Sequence, residues 1–321
     1  MIGSPTASGL AEAPKGASAI NLPHEDVAQA RARKKPWRWL FTALLAIMAL
    51  HFLDFLLTNE NLQWSVVGDY LFDAQVLDGV ANTLRIWAIV TVLSTVFGAV
   101  ICSLQMSTYA PARWVSKSYV AVFLAIPPLV QLIFWFNIAY LVPELSIGLP
   151  FGPSFNGWDT NAVVDPFAAA IVGLTIVESA YIAEIIRGAM LSVPQGQRDA
   201  AKAVGFGSRT TYFRVVLPQA LRAIIPPWGT KVVSIVKATS LVSIIGQTDL
   251  LRAVQDIYNR NYLTVPLLIV AIIWYLVIVS VLTTLRNMLE RRYSRGFQPG
   301  APVGKRSGRR SRTSKVEVEV L

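Results

Sequence analysis

Five ionisable residues, Arg85, Glu178, Glu184, Lys231 and Lys237, fall inside otherwise apolar runs of this chain. At the depth of a bilayer such a charge is costly, so it either closes a buried pair or lines a path for something polar. Glu178 has no basic residue three or four positions away on its own run. A carboxylate so placed can hold an ammonium or a cationic side chain, or it can close a salt bridge to Lys231 or Lys237 of another run. Glu184 and Arg187 are three apart, which pairs them on one helix face, and we read them first as a structural pair. Lys237 is followed closely by Thr239 and Ser240. An ammonium with two hydroxyls suits a carboxylate, although hydroxyls also bond back to their own helix.

The residues that would carry covalent chemistry are missing. The two histidines are His24, near the start, and His51, in an apolar run, and no Cys/His/carboxylate cluster has metal-ligand spacing. His51 and Asp54, three apart, are read as a polar pair buried between helices. The stretch GAPVGKRSG contains a Gly-Lys pair without the phosphate-loop spacing or a preceding strand. The single cysteine, Cys102, reads as a packing residue. No catalytic centre and no cofactor are expected, so energy for any work must come from another polypeptide.

The elements that position these charges follow from hydropathy. The chain has 321 residues, 54% hydrophobic and 15% charged, with a mean hydropathy of +0.49, a membrane composition. Six runs reach the roughly 20 apolar residues a spanning helix needs: Trp37–Leu57, Val80–Met106, Tyr119–Val142, Pro166–Ile186, Ala223–Gly246 and Leu263–Leu285. The first is long, follows about 30 residues and lacks a small-residue cleavage site after it, so it reads as a retained span rather than a secretory signal. With the N-terminus inside, segments 31–38, 107–118, 187–222 and 286–321 hold five, two, six and ten basic residues. The outer segments 58–79, 143–165 and 247–262 hold none, none and two. Cytoplasmic connections carry the Lys/Arg excess, so the expectation is an all-α membrane protein with six spans and both termini in the cytoplasm.

The net charge of +10 is mostly this asymmetry together with the run Lys305–Lys315. It points to an anionic inner leaflet rather than to nucleic acid. Residues 1–30 and 296–321 lack a periodic apolar face and read as disordered tails, the second of them basic. Between them come 31–76, a first span with its outer loop, and 77–295, a core of five spans. Pro127 and Pro128 interrupt the third span; a kink is the expected result. The run Phe134–Phe136 reads as lipid-facing or core.

The connection 187–222 has a helical pattern of its own. Ser192 and Pro194 can open a helix, and Gly205 can close it in the left-handed cap conformation. The result is about three turns at Gln195–Val204 with a small face of Ala200, Ala201, Ala203 and Val204. A second helix is expected from Ser208 through Tyr212, Phe213, Val216 and Leu217 until Pro218 disturbs it. Helices this short are marginal in water and need a partner surface, either another protein or the chain's own membrane domain.

SVPQGQRDAAKAVGFGSRTTYFRVVLPQALRAIIPP, Ser192 to Pro227, resembles the cytoplasmic loop of ATP-binding-cassette (ABC) importer permeases, with the signature E-A-A-x3-G-x9-I-x-L-P. The match lies in Asp199, Ala200, Ala201, Gly205, Leu217 and Pro218. The longer frame, with AYIAEIIRGA before it and KATSLVSIIG after it, is similar to the polar amino acid branch, the histidine, glutamine and arginine type permeases. The resemblance covers roughly Leu77 to Arg292. Three departures stand out: Asp199 replaces the usual Glu, FLAIPPLVQ (Phe123–Gln131) replaces F-R-G-T-P-L-L-V-Q, and Ala238 replaces the Asp of K-D-T-S-L.

The resemblance implies a type I ABC importer permease core in a bacterial inner membrane, with ATP hydrolysed on a separate cytoplasmic ATP-binding subunit dimer. Gln195–Val204 would be the coupling helix, with Gln197, Asp199, Ala200, Ala201, Gly205, Leu217 and Pro218 serving ATPase coupling. A periplasmic solute-binding protein would deliver a small-molecule substrate to outer loops such as 143–165. A second permease subunit, identical or a sister, would complete the pathway. Pathway candidates are Glu178, Ser179, Glu184, which matches a family position, Lys237, Thr239 and Ser240. An opine or other amino acid derivative is the alternative solute. An ATP-independent secondary transporter or channel would need an internal repeat and ion-coupling residues in both halves, and a membrane enzyme a catalytic cluster; neither is found.

Overall fold

The computed structural model describes residues 36–148 and 154–293. The expected tails at 1–30 and 296–321, with His24 and the Lys305–Lys315 run, lie outside the described residues. The chain divides into two units, one ending at Asn59 and the next beginning at Glu60.

In the first unit, α1 (Pro36–Thr58) is a continuous helix of 23 residues, about 35 Å at 1.5 Å per residue. Nearly all of its side chains are exposed. His51 and Asp54 both lie on it, and neither belongs to an ion pair among the described residues.

The second unit runs α2 (Trp64–Leu71), α3 (Ala74–Gln105), α4 (Ala110–Ala125), α5 (Pro128–Phe136), β1 (Glu144–Gly148), β2 (Ser154–Asp159), α6 (Thr160–Val163), α7 (Pro166–Leu191), α8 (Gln195–Ala203), α9 (Ser208–Thr211), α10 (Leu217–Ala238), α11 (Leu250–Asn261) and α12 (Thr264–Tyr293). Across both units, five helices of the described residues are long and apolar enough to cross a membrane: Trp37–Thr58, Ala74–Gln105, Pro166–Leu191, Ser208–Ile245 and Thr264–Tyr293. The pair α4 and α5 makes the sixth crossing only if counted together, because the chain turns by 103° between them.

That turn replaces the kink expected at Pro127 and Pro128. Two successive prolines remove two backbone donors, and their rings exclude the carbonyls four residues back. The carbonyls left over are taken by Gln131, whose Nε2 donates to Phe123 O at 2.9 Å and Ile126 O at 2.8 Å.

Elsewhere proline breaks less than the sequence suggests. Pro218 does not end the helix begun at Ser208. A π-helical stretch at Tyr212–Val216 widens the backbone ahead of it, and a wider turn accommodates the missing N–H and the ring without a kink. Pro226 and Pro227 also lie inside α10. An antiparallel pair of strands, β1 and β2, lies between α5 and α7, a feature the helical periodicity did not announce.

The bundle is organised around α7, which buries Ala169, Ala170, Leu174, Val177, Ala180, Ile182 and Ala183. Spanning helices cohere through small residues that let backbones approach, and α3 does so at Gly98. A Cβ there would stand 2.8 Å from Ile182 Cγ2, closer than atoms tolerate. Indole donors tie α3 to α10: Trp87 Nε1 donates to Val232 O at 2.9 Å and Trp228 Nε1 to Thr95 Oγ1 at 3.1 Å. Cys102 is buried beside Met106, as a packing residue should be.

Candidate functional site: the coupling loop and the charges at bilayer depth

The loop helix forms where the pattern placed it. Helix α8 covers Gln195–Ala203 with Val204 as its C-cap. Gly205 follows at φ +83°, its N–H donating to Lys202 O at 2.9 Å while Phe206 N–H reaches Ala201 O at 3.0 Å. These paired bonds are the Schellman closure, which satisfies the last carbonyls of a helix through a residue in the left-handed region. Glycine is the residue that adopts it without strain.

Two details of the start differ. Pro194 is the N-cap of α8, but Ser192 closes α7 instead, with its Oγ on Ala189 O. Asp199 is the fifth residue of α8 and lies past the first turn, where the macrodipole has its effect. Its Oδ1 instead accepts from Gln195 Nε2 at 3.1 Å.

Helix α8 rests on its own chain by a narrow seam. Ala201 is buried, Arg198 Nη2 donates to Met190 O at 3.1 Å, and Gln219 Nε2 approaches Gln197 Oε1 at 3.4 Å. The rest of the small face, Ala200, Ala203 and Val204, is exposed, with Val204 at 70%. Pro218 is exposed and Leu217 half-buried. A short helix so anchored keeps its orientation and leaves a smooth apolar strip for a second surface.

The charges at bilayer depth sort into pairs and remainders. Glu178 is 4% exposed and its Oε2 lies 2.7 Å from Lys231 Nζ. The same ammonium sits over the Tyr181 ring at 3.7 Å from its centre, a position in which the ring quadrupole adds to the pairing. Of the alternatives open for Glu178, the structure places the ion pair, with Lys231 and not Lys237. Glu184 is paired with Arg187 through Arg187 Nε at 3.0 Å and Nη2 at 2.6 Å, and it accepts from Gln105 Nε2 at 3.2 Å.

The hydroxyls bond back to their own helices. Ser179 is buried, with Oγ on Ile176 O at 2.9 Å and beside Tyr119 Oη at 2.9 Å. Thr239 is buried with Oγ1 on Val236 O at 2.7 Å, and Ser240 donates to Lys237 O at 2.8 Å. Lys237 itself is exposed and in none of the ion pairs among the described residues. Of the six pathway candidates, Ser179 lines a cavity of about 420 Å³ together with Tyr119, Thr175 and Ile176. A cavity of about 840 Å³ between α3, α7 and α10 is walled by residues such as Cys102, Met106, Leu217 and Trp228, and none of the six lines it.

Against known proteins, residues 94–295 match the family model described as "binding-protein-dependent transport system inner membrane component". The arginine transport system permease protein ArgU of Corynebacterium glutamicum is 33% identical over 270 residues, covering 84% of each chain. The L-cystine transport system permease protein TcyB of Bacillus subtilis is 36% identical over 210 residues, covering 64% of this chain and 82% of its own. A crystal structure of an amino acid ABC transporter with histidines superposes with a TM-score of 0.58 at 29% identity, over 68% of this chain and 94% of that one. The methionine transporter MetNI in an inward-facing conformation shares the fold, with a TM-score of 0.56.

The chain belongs to this inner-membrane permease family. Its fold is the type I ABC importer permease, and its place is the bacterial inner membrane. As such a permease it is a transport subunit, and the matched region runs from within α3 to just past α12, taking in the whole of α8 and both ion pairs described above; Arg85 lies before it, its guanidinium 4.8 Å from the centre of the Phe167 ring.

Within the permease, three polar residues went unnoticed in the sequence. Gln131 caps the α4–α5 break; its place four residues past Pro127 was the available signal. Tyr119 ties α4 to α7, donating to Ile176 O at 2.9 Å. Asp249 is fully buried at the start of α11, where its Oδ1 accepts from Arg252 N at 2.9 Å and its Oδ2 from Tyr275 Oη at 3.1 Å. Burial is the largest influence on that carboxyl and pushes it up to about 6, against the hydrogen bonds that favour its charged form.

Proposed function

We propose that this permease imports a polar amino acid, driven by a separate cytoplasmic ATP-binding subunit dimer that grips α8. The observation that carries the reading is α8 itself: a short helix between two membrane crossings, locked at Gly205, with Ala200, Ala203 and Val204 left uncovered. A helix of this length gains little from its own seam, so its order serves a surface supplied in trans.

On this reading Asp199, Gln197 and the α8 strip meet the ATP-binding subunit, while Leu217 and Pro218 carry the motion through the π-helical stretch into α10. Closure of the ATP-binding dimer would draw α8 of each permease with it and turn the pathway from inward- to outward-facing. Both termini and the 187–222 loop lie in the cytoplasm, in keeping with the basic residues counted there. A periplasmic binding protein would dock on the opposite side, where the β1–β2 hairpin and α11 sit between spans. A second permease subunit, identical or a sister, completes the pathway. The amino acid reading is supported by the relatives named for arginine and L-cystine transport and by the amino acid transporter of related fold.

The test is cross-linking. Val204→Cys, alkyl-linked to a cysteine introduced in the surface groove of the ATP-binding subunit, should form a covalent product whose yield changes with ATP. Cross-links from outer-loop positions but none from α8 would overturn the docking assignment.

A further inference from the structure

Two cavities meet where α3, α7 and α10 reach the loop that carries α8. The smaller, of about 250 Å³, is edged by Arg198 and Lys202 of α8 and by the hydroxyl residues Ser208 and Thr211 of α9. The larger is the 840 Å³ cavity between the spans. Met106, Met190 and Tyr212 line both. Met106 directly follows α3, and Met190 is the second-last residue of α7. The polar pocket therefore sits where two spans end, and the apolar one continues from it along the spans.

The polar pocket is built for an anion. Segment 187–222 carries six basic residues against a single acid, Asp199, and Asp199 does not line the pocket. Arg198 gives its Nη2 to Met190 O, but its buried Nε has no hydrogen-bond partner. Lys202 is exposed and in none of the ion pairs among the described residues. Thr211 is only 7% exposed, and its Oγ1 also lacks a partner. A buried hydroxyl left so is costly, and a phosphate oxygen would satisfy it together with the guanidinium. On α8 these cations face away from the uncovered strip. At 100° per residue Gln195, Arg198 and Lys202 fall within about 60°, roughly opposite Ala200, Ala203 and Val204.

The larger cavity offers a polar ligand nothing. Thr95 Oγ1 donates to Thr91 O at 2.7 Å, Ser103 Oγ to Ala99 O at 2.8 Å and Trp228 Nε1 to Thr95 Oγ1 at 3.1 Å. Its wall on α3 runs from Thr95 to Met106, about 16 Å at 1.5 Å per residue. Half of the hydrocarbon core is about 15 Å, so the cavity is as deep as one leaflet.

We propose that the two cavities together hold one anionic phospholipid. Its phosphate accepts from Arg198, Lys202 and Thr211, and one acyl chain fills the space between α3 and α10. A free phosphate would use only the smaller cavity, and a lipid without net charge only the larger. On the cytoplasmic side proposed for this loop, the leaflet is the one rich in anionic lipid. The lipid site is independent of the docking reading, but its consequence rests on it: the headgroup braces α8 from the side opposite the ATP-binding subunit.

The experiment is native mass spectrometry of the purified permease–ATP-binding subunit complex in detergent, titrated with dioleoyl phosphatidylglycerol, dioleoyl phosphatidylcholine or inorganic phosphate. Each basic residue facing an anionic lipid is worth about fivefold, so phosphatidylglycerol should bind roughly twentyfold more tightly than phosphatidylcholine. Lys202→Gln should lose about fivefold of that preference and Lys202→Arg keep it. Ala99→Trp, which fills the larger cavity and leaves the cations in place, should weaken both lipids. Lys202 and Ala99 are exposed, and thermal unfolding should show each variant folded. An unchanged preference in folded Lys202→Gln, or displacement of phosphatidylglycerol by an equal concentration of inorganic phosphate, would overturn the proposal. The brace is read from ATP hydrolysis stimulated by the loaded binding protein, in nanodiscs of phosphatidylcholine with and without phosphatidylglycerol. Stimulation should be severalfold higher with phosphatidylglycerol in wild type, and less so in Lys202→Gln. Equal stimulation in both lipids would overturn the brace, whereas no stimulation in either would count against the docking reading and leave the binding result to decide the lipid site.

Discussion

Replacing Gly205 with valine isolates the cap of α8. At φ +83° a Cβ finds no atom within 4 Å, so the cost is backbone strain rather than collision. An L residue in the left-handed region costs about 1–2 kcal/mol, and a β-branched one sits at the upper end. If the chain relaxes instead, the bonds Gly205 N–H to Lys202 O and Phe206 N–H to Ala201 O are lost at about 1 kcal/mol each. Either way the ordered form of α8 is disfavoured by roughly 2 kcal/mol, a factor of about 30. The membrane helices do not depend on this turn, so thermal unfolding of the complex should scarcely move. In proteoliposomes Gly205→Val should lower ATP-driven uptake about tenfold or more, with ATP hydrolysis no longer stimulated by the loaded binding protein. Gly205→Ala should fall between. Gly207→Ala, at φ −66° with open space around it, should behave as wild type. Wild-type uptake and wild-type stimulation in folded Gly205→Val would refute the reasoning.

Glu178→Gln should strand the Lys231 ammonium and lower thermal stability by up to about 3 kcal/mol while leaving substrate affinity unchanged; a weakened affinity at unchanged stability would show that the carboxylate touches substrate. Gln131→Leu should cost about 2 kcal/mol, since Phe123 O and Ile126 O lose their partner, and this would be read in the unfolding temperature of the purified complex. Asp249, raised in the folded protein to about 6 from the ordinary aspartate value of 3.8, binds its proton more tightly folded than unfolded. Its contribution is therefore full below about pH 4 and is lost as pH rises to about 6, on the order of 3 kcal/mol in all. The wild-type permease should gain stability relative to Asp249→Asn as pH falls from 7 to 5, and parallel pH profiles for the two would refute it.

How much of this was legible beforehand differs by element. Helix α8 could be read almost to the residue, because Pro194 and Gly205 are local signals whose backbone preferences act without help from the rest of the fold. The ends of the spans were less legible. Hydropathy marks where a helix leaves lipid, not where its hydrogen bonding stops, so the sixth run, expected to end at Leu285, continues to Tyr293. Proline misled in both directions. Pro127 and Pro128 turned the chain by 103° rather than bending it, since Gln131 offers the freed carbonyls another donor. Pro218 broke nothing, since a π-helical stretch made room for it.

The pathway residues were the least legible. Glu178 pairs with Lys231 and not Lys237 because of how α10 is rotated against α7, and rotation is set by packing such as Trp87 on Val232 O and Gly98 against Ile182. No spacing along one strand of sequence contains that information. The same rotation exposes Lys237 and buries Thr239, although the two are only two residues apart.

The central claim is that this permease does work only through an ATP-binding subunit seated on α8. The direct measurement is amino acid uptake into proteoliposomes that contain the permease with its binding protein, with and without the ATP-binding subunit and ATP, and with an ion gradient imposed. Uptake that requires the subunit and hydrolysable ATP, and ignores the gradient, is the predicted result. Uptake driven by the gradient with the ATP-binding subunit absent would contradict it.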